Sequence, residues 1–450
     1  MESDLGGNVV INVPVDVEKI INRLEEKGFE AYAVGGCVRD SLLGSKPSDW
    51  DLCTSARPEQ VIECFEGYHI IETGLKHGTI TVRLNGQSYE ITTYRVDGEY
   101  LDNRRPENVT FVSSLKEDLA RRDFTINAMA YNSNKGLADY FQGCKDLENR
   151  VIQCVGSAEE RFKEDALRII RALRFASVLE FNLEQETAES IHKNRELLNK
   201  IAKERINTEL GKLLCGKGVS QILKAYSDVL GTILPEILPM IDCQQNNPHH
   251  QYDVWNHTVA ALKNSENDLT IRLAVLLHDV GKPECYTCDS DGIGHFYSHG
   301  EFGAKEADRI LRNLKFSNQV ISDVCQLIKY HDADINDNDR FIKKWLNKIG
   351  EVQFKRLLQV KYADVMGQSD YLREHKLKKL KAIESNMKRV LSEKQCFSLK
   401  QLAVNGEDLM EAGIHDGKKI GEVLEGLLEQ VMDNQLKNTK DILIYTAKNM

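Results

Sequence analysis

The sequence predicts an α+β chain: a small mixed α/β head at the amino-terminal end, followed by sections that are all helical. Three observations carry this expectation. Strand-like alternation and short apolar runs are confined to about the first 155 residues. Within them, Asn85-Gly86 separates two alternating stretches, 78–84 and 87–95, and this dipeptide accepts positive φ at both central positions of a hairpin turn. From about residue 156 apolar residues recur at helical spacing, beginning with AEERFKEDALRIIRALRFASVL, which reads as one continuous helix.

In chain order, FEAYAVGG, DWDLCT and YHIIET read as strands, with VRDSLL and PEQVIECF as helices between them. Prolines are scarce and mark joints. Pro235 and Pro239 close one helical section, and NNPHH at 246–250 opens another. The expected divisions are 1–155 (head), 156–240 (helical neck), 241–370 (a second helical domain) and 371–450 (helical tail). With 450 residues and 41% hydrophobic content, the chain has enough apolar material for several cores.

No stretch approaches the roughly 20 uncharged apolar residues of a membrane helix. The start, MESDLGGNVVINV, is neither Arg-rich nor followed by a signal-type apolar region, so a cytoplasmic protein is expected. The 11 cysteines are scattered through apolar contexts, as reduced core thiols are. Cys285 and Cys288 form one CxxC without a second pair nearby and read as loop thiols. A net charge of −10 argues against indiscriminate nucleic-acid binding, so any RNA surface must be local. Arg373, Lys376, Lys378, Lys379, Lys381, Lys388 and Arg389 form either such a patch or a solvated helix face.

The most informative stretch is Ala33–Thr54, AVGGCVRDSLLGSKPSDWDLCT. A strand runs into Gly35-Gly36 and a short helix, and a second strand carries Asp49 and Asp51. Residues two apart on a strand share a face. Two carboxylates on one face can hold two Mg²⁺ ions, one activating an RNA 3′-hydroxyl and one steadying a triphosphate leaving group. The glycines let backbone N–H groups approach phosphate oxygens, and Arg39 adds charge. The alternative for the acids alone is an exposed acidic strand end.

The combined pattern GGCVRD…DWD resembles the first motif of the nucleotidyltransferase family that includes class II tRNA CCA-adding enzymes and bacterial poly(A) polymerases. Later segments extend the resemblance in order. RRDFTINAMAYN places Arg121, Arg122, Asp123 and Asn127 where that family contacts ribose and triphosphate, and DYFQGCKDL from Asp139 resembles its next motif. Glu164, Asp165 and Arg168 resemble its nucleotide-reading EDxxR. On one helix these three would be surface neighbours. A carboxylate accepts from the exocyclic amino group of cytosine or adenine while a guanidinium donates to the adjacent ring acceptor. Guanine and uracil present an acceptor in place of that amino group and leave the carboxylate unpaired, which is a basis for rejecting them.

Arg171 and Arg174, further along, either position triphosphate or RNA or pair with Glu164 and neighbouring acids. RINTEL at 205–210 resembles the family's fifth motif and reads as helix support. Glu90, in the hairpin strand, is a candidate third carboxylate facing the metal pair. Asp97–Phe111 resembles the loop through which full CCA-adding enzymes switch from C to A addition.

Seven of the 12 histidines fall between His249 and His331. His278-Asp279 in LAVLLHDVGKP, with His257 upstream and Asp364 downstream, resembles the H…HD…D pattern of the HD phosphohydrolase superfamily. Neutral imidazoles and a carboxylate suit a divalent metal, transition metals included, whose bound water attacks a phosphate ester. His299 and His331 fall where HD proteins ligate a second metal; the other reading is an HD fold whose site has decayed. The section from Leu402 resembles the tail that grips the tRNA body in bacterial enzymes. There the N–H groups and ammonium groups around Lys418-Lys419 could meet phosphate at a helix start.

The resemblance therefore implies template-independent addition of CCA to tRNA from CTP and ATP, with an accessory HD activity. Three rivals stay open at this point: an A-adding tRNA enzyme, a poly(A) polymerase, and an HD phosphohydrolase whose head only binds tRNA. The sequence does not fix the oligomeric state.

Overall fold

The computed structural model describes residues 10–98 and 109–450. The chain divides into two units, Met1–Pro235 and Glu236–Met450.

The first unit opens with α1 (Val15–Glu26), whose buried Val17, Ile20, Ile21 and Leu24 recur at helical spacing on one face. It continues through β1 (Ala31–Val34), α2 (Gly36–Leu42), β2 (Asp51–Thr54), α3 (Pro58–Cys64), β3 (His69–Ile71), β4 (Thr79–Leu84) and β5 (Gln87–Thr93). Then come β6 (Arg95–Asp97), β7 (Val109–Phe111), α4 (Leu115–Ala120), β8 (Met129–Asn132), β9 (Gly136–Asp139) and α5 (Gly143–Asn149). Seven strands form one sheet in the order β3-β4-β5-β2-β1-β8-β9. Every pair in it is antiparallel except β2 with β5.

β1 is buried at all four positions, so both of its faces are covered. One cover includes Leu115, Leu119 and Val155 packed on Tyr32, Val34 and Ala130. The β4–β5 turn is the expected one, with Asn85 at φ 51° and Gly86 at φ 79°. The segment likened to the C-to-A switching loop lies mostly at 99–108, outside the described residues; its ends pair as β6 and β7.

β10 (Val151–Ile152) and β11 (Asn182–Leu183) make a short parallel pair around α6 (Ala158–Glu164) and α7 (Leu167–Leu179). α8 (Gln185–Asn194), α9 (Lys203–Leu214), α10 (Val219–Ala225) and α11 (Ser227–Ile233) complete the unit.

The continuous helix expected from residue 158 is two helices. Asp165 is extended, at φ −135° and ψ 101°, and closes α6. Its carboxylate accepts from the Leu167 N–H at 3.1 Å, so the side chain satisfies a donor of the next helix start. Periodicity alone cannot show this break, because apolar spacing resumes in phase after it.

The second unit contains α12 (Val254–Lys263), α13 (Leu269–Leu277), α14 (Lys282–Cys285), β12 (Tyr286–Cys288), β13 (Gly294–Phe296), α15 (His299–Asn313) and α16 (Asn318–Tyr330). It ends with α17 (Asp339–Gly367), α18 (Arg373–Ser392), α19 (Gly406–Glu411), α20 (Gly417–Met432) and α21 (Lys440–Ala447). Gly350, at φ 79°, kinks α17.

The expectation that this half is all helical needs correction at β12–β13. There Asp289 turns the chain by accepting from the N–H groups of Asp291 (3.0 Å) and Ile293 (2.9 Å), with Gly292 at φ 80°. The tail has its own core of Leu409, Val423, Leu427 and Leu443. Among the described residues, no helix is long and apolar enough to cross a membrane.

Candidate functional sites

β2 begins at Asp51, and Asp49 lies in the segment just before it. The parallel pairing sets Asp51 beside Glu90 in register, so these two side chains project from the same face. Packed protein withdraws water from the Asp51 carboxyl, and Asp49 and Glu90 add negative charge. Together they raise it to about 6 against the opposing pull of Arg122. The three acids thus form one electrostatic cluster short of positive charge, the donor set a hard divalent cation prefers.

Gly35, at φ 81° and ψ −126°, turns the chain from β1 into α2. A Cβ there would sit 3.1 Å from Arg122 Nη1, so the glycine admits both the conformation and the close approach. On α2, Arg39 donates to Asn127 Oδ1 at 2.6 Å, and Asn127 donates in turn to Asp123 at 3.1 Å.

Asp123 receives Arg171 through Nε (3.0 Å) and Nη2 (2.7 Å). Against the desolvation of its burial, the Arg171 guanidinium holds Asp123 well below the usual carboxylate range. Glu209 on α9 then takes Arg174 at 2.8 Å and Arg171 at 3.4 Å. Phe175 lies under the guanidinium groups of Arg174 (3.6 Å), Arg39 (4.9 Å) and Arg171 (5.5 Å). Of the two readings for Arg171 and Arg174, pairing with acids is what the structure shows, but the acids are Asp123 and Glu209; the expected partner Glu164 is taken by Arg161 and Arg168.

Of the three base-reading candidates, expected as surface neighbours on one helix, only Glu164 and Arg168 join through their side chains; Arg168 is buried, and Asp165, at the break between α6 and α7, turns to Arg205. Arg168 pairs with Glu164 at 2.7 Å, and its Nη2 donates to the Arg121 carbonyl oxygen at 3.0 Å. Arg205 grips both oxygens of Asp165 at 2.7 and 3.2 Å. RINTEL therefore does more than support a helix, since its first residue fixes a candidate reading group and its fifth holds two arginines.

Sequence reasoning missed Asp118, which pairs with Arg121 at 2.8 Å and Arg122 at 3.4 Å. Its i,i+3 and i,i+4 spacing to those arginines was the available signal.

In the second unit, His257, His278, Asp279 and Asp364 converge. His257 Nε2 lies 3.2 Å from His278 Nε2 and 3.0 Å from Asp364 Oδ1, and His278 Nε2 lies 3.2 Å from Asp279 Oδ2. The other oxygen of Asp279 is 3.6 Å from His299 Nε2 and 3.7 Å from His331 Nε2, which are 3.1 Å apart.

His278, His299 and His331 each place Nδ1 on a backbone carbonyl, of Val275 (2.7 Å), Phe296 (2.7 Å) and Ile328 (2.6 Å). A carbonyl only accepts, so Nδ1 carries the hydrogen and the Nε2 lone pairs point inward. Facing lone pairs a little over 3 Å apart in a buried site need a positive charge between them. Despite its burial, the Asp279 and Asp364 carboxylates raise the His278 imidazole to about 10, and the same negative field favours a cation. Asp279 is the residue common to two potential metal-holding groups, one with His257 and His278, the other with His299 and His331.

Of the supports around this centre, Lys282 stands in the Gly-Lys that follows Asp279 in the sequence, while Gln368, Gln245 and Lys361 were not foreseen. Gln368 donates to Asp364 Oδ2 at 3.0 Å, Lys282 bridges Asp279 (2.7 Å) and Gln245 (2.8 Å), and Lys361 donates to the carbonyl oxygens of His331 and Ala333.

Most of the basic run has partners. Arg373, Lys379, Lys388 and Arg389 pair with Asp370, Asp334, Glu384 and Asp339, as a solvated helix face does. At α20, the Asp416 carboxylate already accepts from Lys418 N–H at 2.9 Å. The helix start expected to receive phosphate is thus capped by the chain itself, leaving the Lys418 and Lys419 side chains. Cys285 and Cys288 belong to neither potential metal-holding group, and none of the 11 cysteines is in a disulfide.

Comparison with known proteins adds three matches to family models. Residues 31–153 match the poly A polymerase head domain, 180–241 the probable RNA and SrmB-binding site of polymerase A, and 296–447 the putative tRNA nucleotidyltransferase domain 2. A CCA-adding enzyme of Ligilactobacillus salivarius is 35% identical, with 98% of each chain covered. One of Lactobacillus delbrueckii subsp. bulgaricus is 37% identical over 94% of each. The crystal structure of the Bacillus stearothermophilus CCA-adding enzyme in complex with CTP matches with a TM-score of 0.70 at 28% identity, over 96% of both chains. The Thermotoga maritima CCA-adding enzyme complexed with tRNA-CCA shares the fold, with a TM-score of 0.60 at 22% identity, over 97% of this chain and 96% of that one.

Proposed function

The chain belongs to the family of CCA-adding enzymes, template-independent tRNA nucleotidyltransferases, and we propose that Asp49, Asp51 and Glu90 are its metal-holding carboxylates. It extends tRNA with CTP and ATP, and we place it in the cytoplasm. The in-register pairing of Asp51 with Glu90, beside Asp49, is the observation that carries this site. Divalent ions held there, Mg²⁺ in this reading, supply Lewis-acid activation of the RNA 3′-hydroxyl and charge neutralisation at the leaving pyrophosphate.

The rest is the work of side chains. Gly35 and Gly36 let phosphate oxygens approach the backbone, and Arg39, Arg121, Asp123 and Asn127 position ribose and triphosphate. Asp165 and Arg168, with Glu164 beside them, read the Watson–Crick edge of C or A, while Arg171 and Arg174 hold the neck against Asp123 and Glu209. In the reaction, the RNA 3′-oxygen bonds to the α-phosphorus, the α–β phosphoanhydride breaks, and the hydroxyl proton passes to solvent.

We also propose the division into 1–155, 156–240, 241–370 and 371–450: the matches ending at 153 and 241 lie near its first two junctions, and the match at 296–447 runs across the last.

Purified protein with Mg²⁺ and tRNA transcripts ending at the discriminator base, at C or at CC tests the reading. Stepwise C, C, A addition and arrest is expected, with loss in Asp51→Asn and Glu90→Gln. A single A added only to the CC end means an A-adding enzyme, and long A tails mean a poly(A) polymerase.

A second reading is favoured by the inward-facing imidazoles. His257, His278, Asp279 and Asp364 hold a divalent transition metal, with His299 and His331 a second, and this centre hydrolyses phosphate monoesters or cyclic esters at RNA ends. Water adds to phosphorus, the phosphorus–ribose oxygen bond breaks, and a proton reaches the ribose oxygen. Metal analysis and hydrolysis of 2′,3′-cyclic and 2′-phosphates, compared with Asp279→Ala, test it.

A further inference from the structure

The cavity over the second centre has a volume of about 740 Å³. Spaces of roughly 300–1,000 Å³ hold small organic ligands, so there is room for far more than a phosphate group. Its lining includes Asp279, Asp364, His299 and His331, and also His295, Phe296 and Tyr297 of β13 and the residue after it.

His295 and Tyr297, two apart on an extended segment, share a face. Their rings lie nearly parallel, with 10° between planes and centroids 5.4 Å apart. Tyr297 is 72% exposed, which is unusual for a ring so well supported from behind. Asp289 fixes the imidazole through Nε2 at 2.9 Å.

The strand carrying these rings is indexed to the centre. Gly294 N–H donates to the Asn246 carbonyl oxygen at 3.0 Å, and Asn246 Nδ2 donates to the Tyr286 hydroxyl at 2.9 Å. A Cβ on Gly294 would lie 2.3 Å from the Gln245 carbonyl oxygen, and Gln245 also receives Lys282, the partner of Asp279. At its other end, the Phe296 carbonyl oxygen accepts from His299 Nδ1, so the platform and a candidate ligand share one rigid turn. Lys376, which also lines the cavity, adds an ammonium group that donates to Gln368.

We propose that Tyr297, backed by His295, is a base-stacking platform through which the second centre holds the nucleoside of its phosphate ester. Every base has a π-face that can lie on such a ring. The phosphate then reaches the Asp279 side of the cavity with the ribose between. The ligand chemistry is a nucleoside carrying phosphate on its ribose, whether a free mononucleotide or an RNA terminus. This inference rests on the hydrolase reading of that centre.

The probe is adenosine 2′-phosphate with full-length, metal-free protein, every Tyr297 form being compared on an Asp165→Ala background that removes the head's base-reading carboxylate. Saturation-transfer NMR is expected to mark the adenine H2 and H8 protons with wild type and Tyr297→Phe, and to lose the signal with Tyr297→Ala. With Mn²⁺ added, Tyr297→Ala is expected to raise KM for the nucleotide by about ten-fold or more at unchanged kcat, and to leave β-glycerophosphate hydrolysis unaltered. Equal saturation in wild type and Tyr297→Ala, or equal KM values for the two esters in wild type, overturns the proposal. A Tyr297-dependent signal without hydrolysis of either ester rejects the hydrolase reading and upholds the platform. A hairpin RNA ending in the same 2′-phosphate separates the sources: a lower KM than the mononucleotide assigns the RNA terminus, and an equal one assigns the free nucleotide.

Discussion

Arg205 holds both carboxylate oxygens of Asp165, with Nη2 to Oδ2 at 2.7 Å and Nη1 to Oδ1 at 3.2 Å. A two-point grip fixes the plane of the carboxylate as well as its place. Arg205→Ala should therefore relax the choice of nucleotide before it unfolds the neck. The expected result is a fall in kcat/KM for CTP and ATP of about ten-fold or more, with UTP misincorporation rising, while Arg205→Lys restores charge without the fork. Single-nucleotide addition assays with all four triphosphates measure it.

Arg168→Ala should act differently from loss of a metal carboxylate. It removes donors to the base edge and the link to the Arg121 carbonyl oxygen, but leaves Asp49, Asp51 and Glu90 in place. Selectivity for C and A over U and G should fall by about 1–3 kcal/mol, with the Mg²⁺ concentration at half-activity unchanged. Full retention of selectivity would remove Arg168 from the reading role.

The raised Asp51 carboxyl predicts a pH-dependent metal requirement. As pH falls through about 6, a proton occupies the group that the cation needs. Mg²⁺ titrations of activity should show half-activation moving to higher concentration between pH 7 and pH 5. Glu90→Gln removes one of the charges raising Asp51, so any residual activity should titrate at lower pH.

Glu209→Ala should destabilise the first unit. It strips Arg174 of its carboxylate and Arg171 of one of two, within a neck where Glu209 itself is 6% exposed. About 3 kcal/mol is expected, the lower end for a broken buried pair because Arg171 reaches solvent. Urea unfolding at neutral pH measures it. Asp123 adds an acid limb: its lowered carboxyl contributes stability that is present above about pH 4 and lost as pH falls toward its folded value. Asp123→Asn should flatten that limb.

Divalent cation should stabilise the second unit. The facing Nε2 lone pairs of His299 and His331, and the carboxylates of buried Asp279 and of Asp364 beside His257 and His278, favour any cation that binds the folded form only. At a hundred-fold excess over Kd the gain is about 2.7 kcal/mol, seen as a rise in Tm that a chelator reverses. His278→Ala and His331→Ala should each lose part of that rise; an unchanged response in both would sink the metal assignment.

What was legible in the sequence was local. Gly35-Gly36 with Asp49 and Asp51, the Asn85-Gly86 turn, and His278-Asp279 at a helix end each carry their meaning within a few residues. The partners that fix them were not legible, because they come from far along the chain: Asp165 with Arg205 is 40 residues apart, Asp123 with Arg171 is 48, and Glu209 with Arg174 is 35. The break at Asp165 was hidden for a different reason, a side-chain hydrogen bond interrupting a helix without disturbing its apolar period. The β12–β13 hairpin depends on one aspartate turning the backbone, which composition does not reveal.

The parallel pairing of β2 with β5 also has a consequence during synthesis. Asp51 and Glu90 emerge from the ribosome far apart in time, and the hairpin that delivers Glu90 must form before the acidic cluster exists. The arginines of α7 are translated before Glu209, so a nascent chain arrested between them presents Arg174 without the carboxylate that neutralises it. In such an arrested chain Arg171 can already pair with Asp123, while Arg174 waits for Glu209.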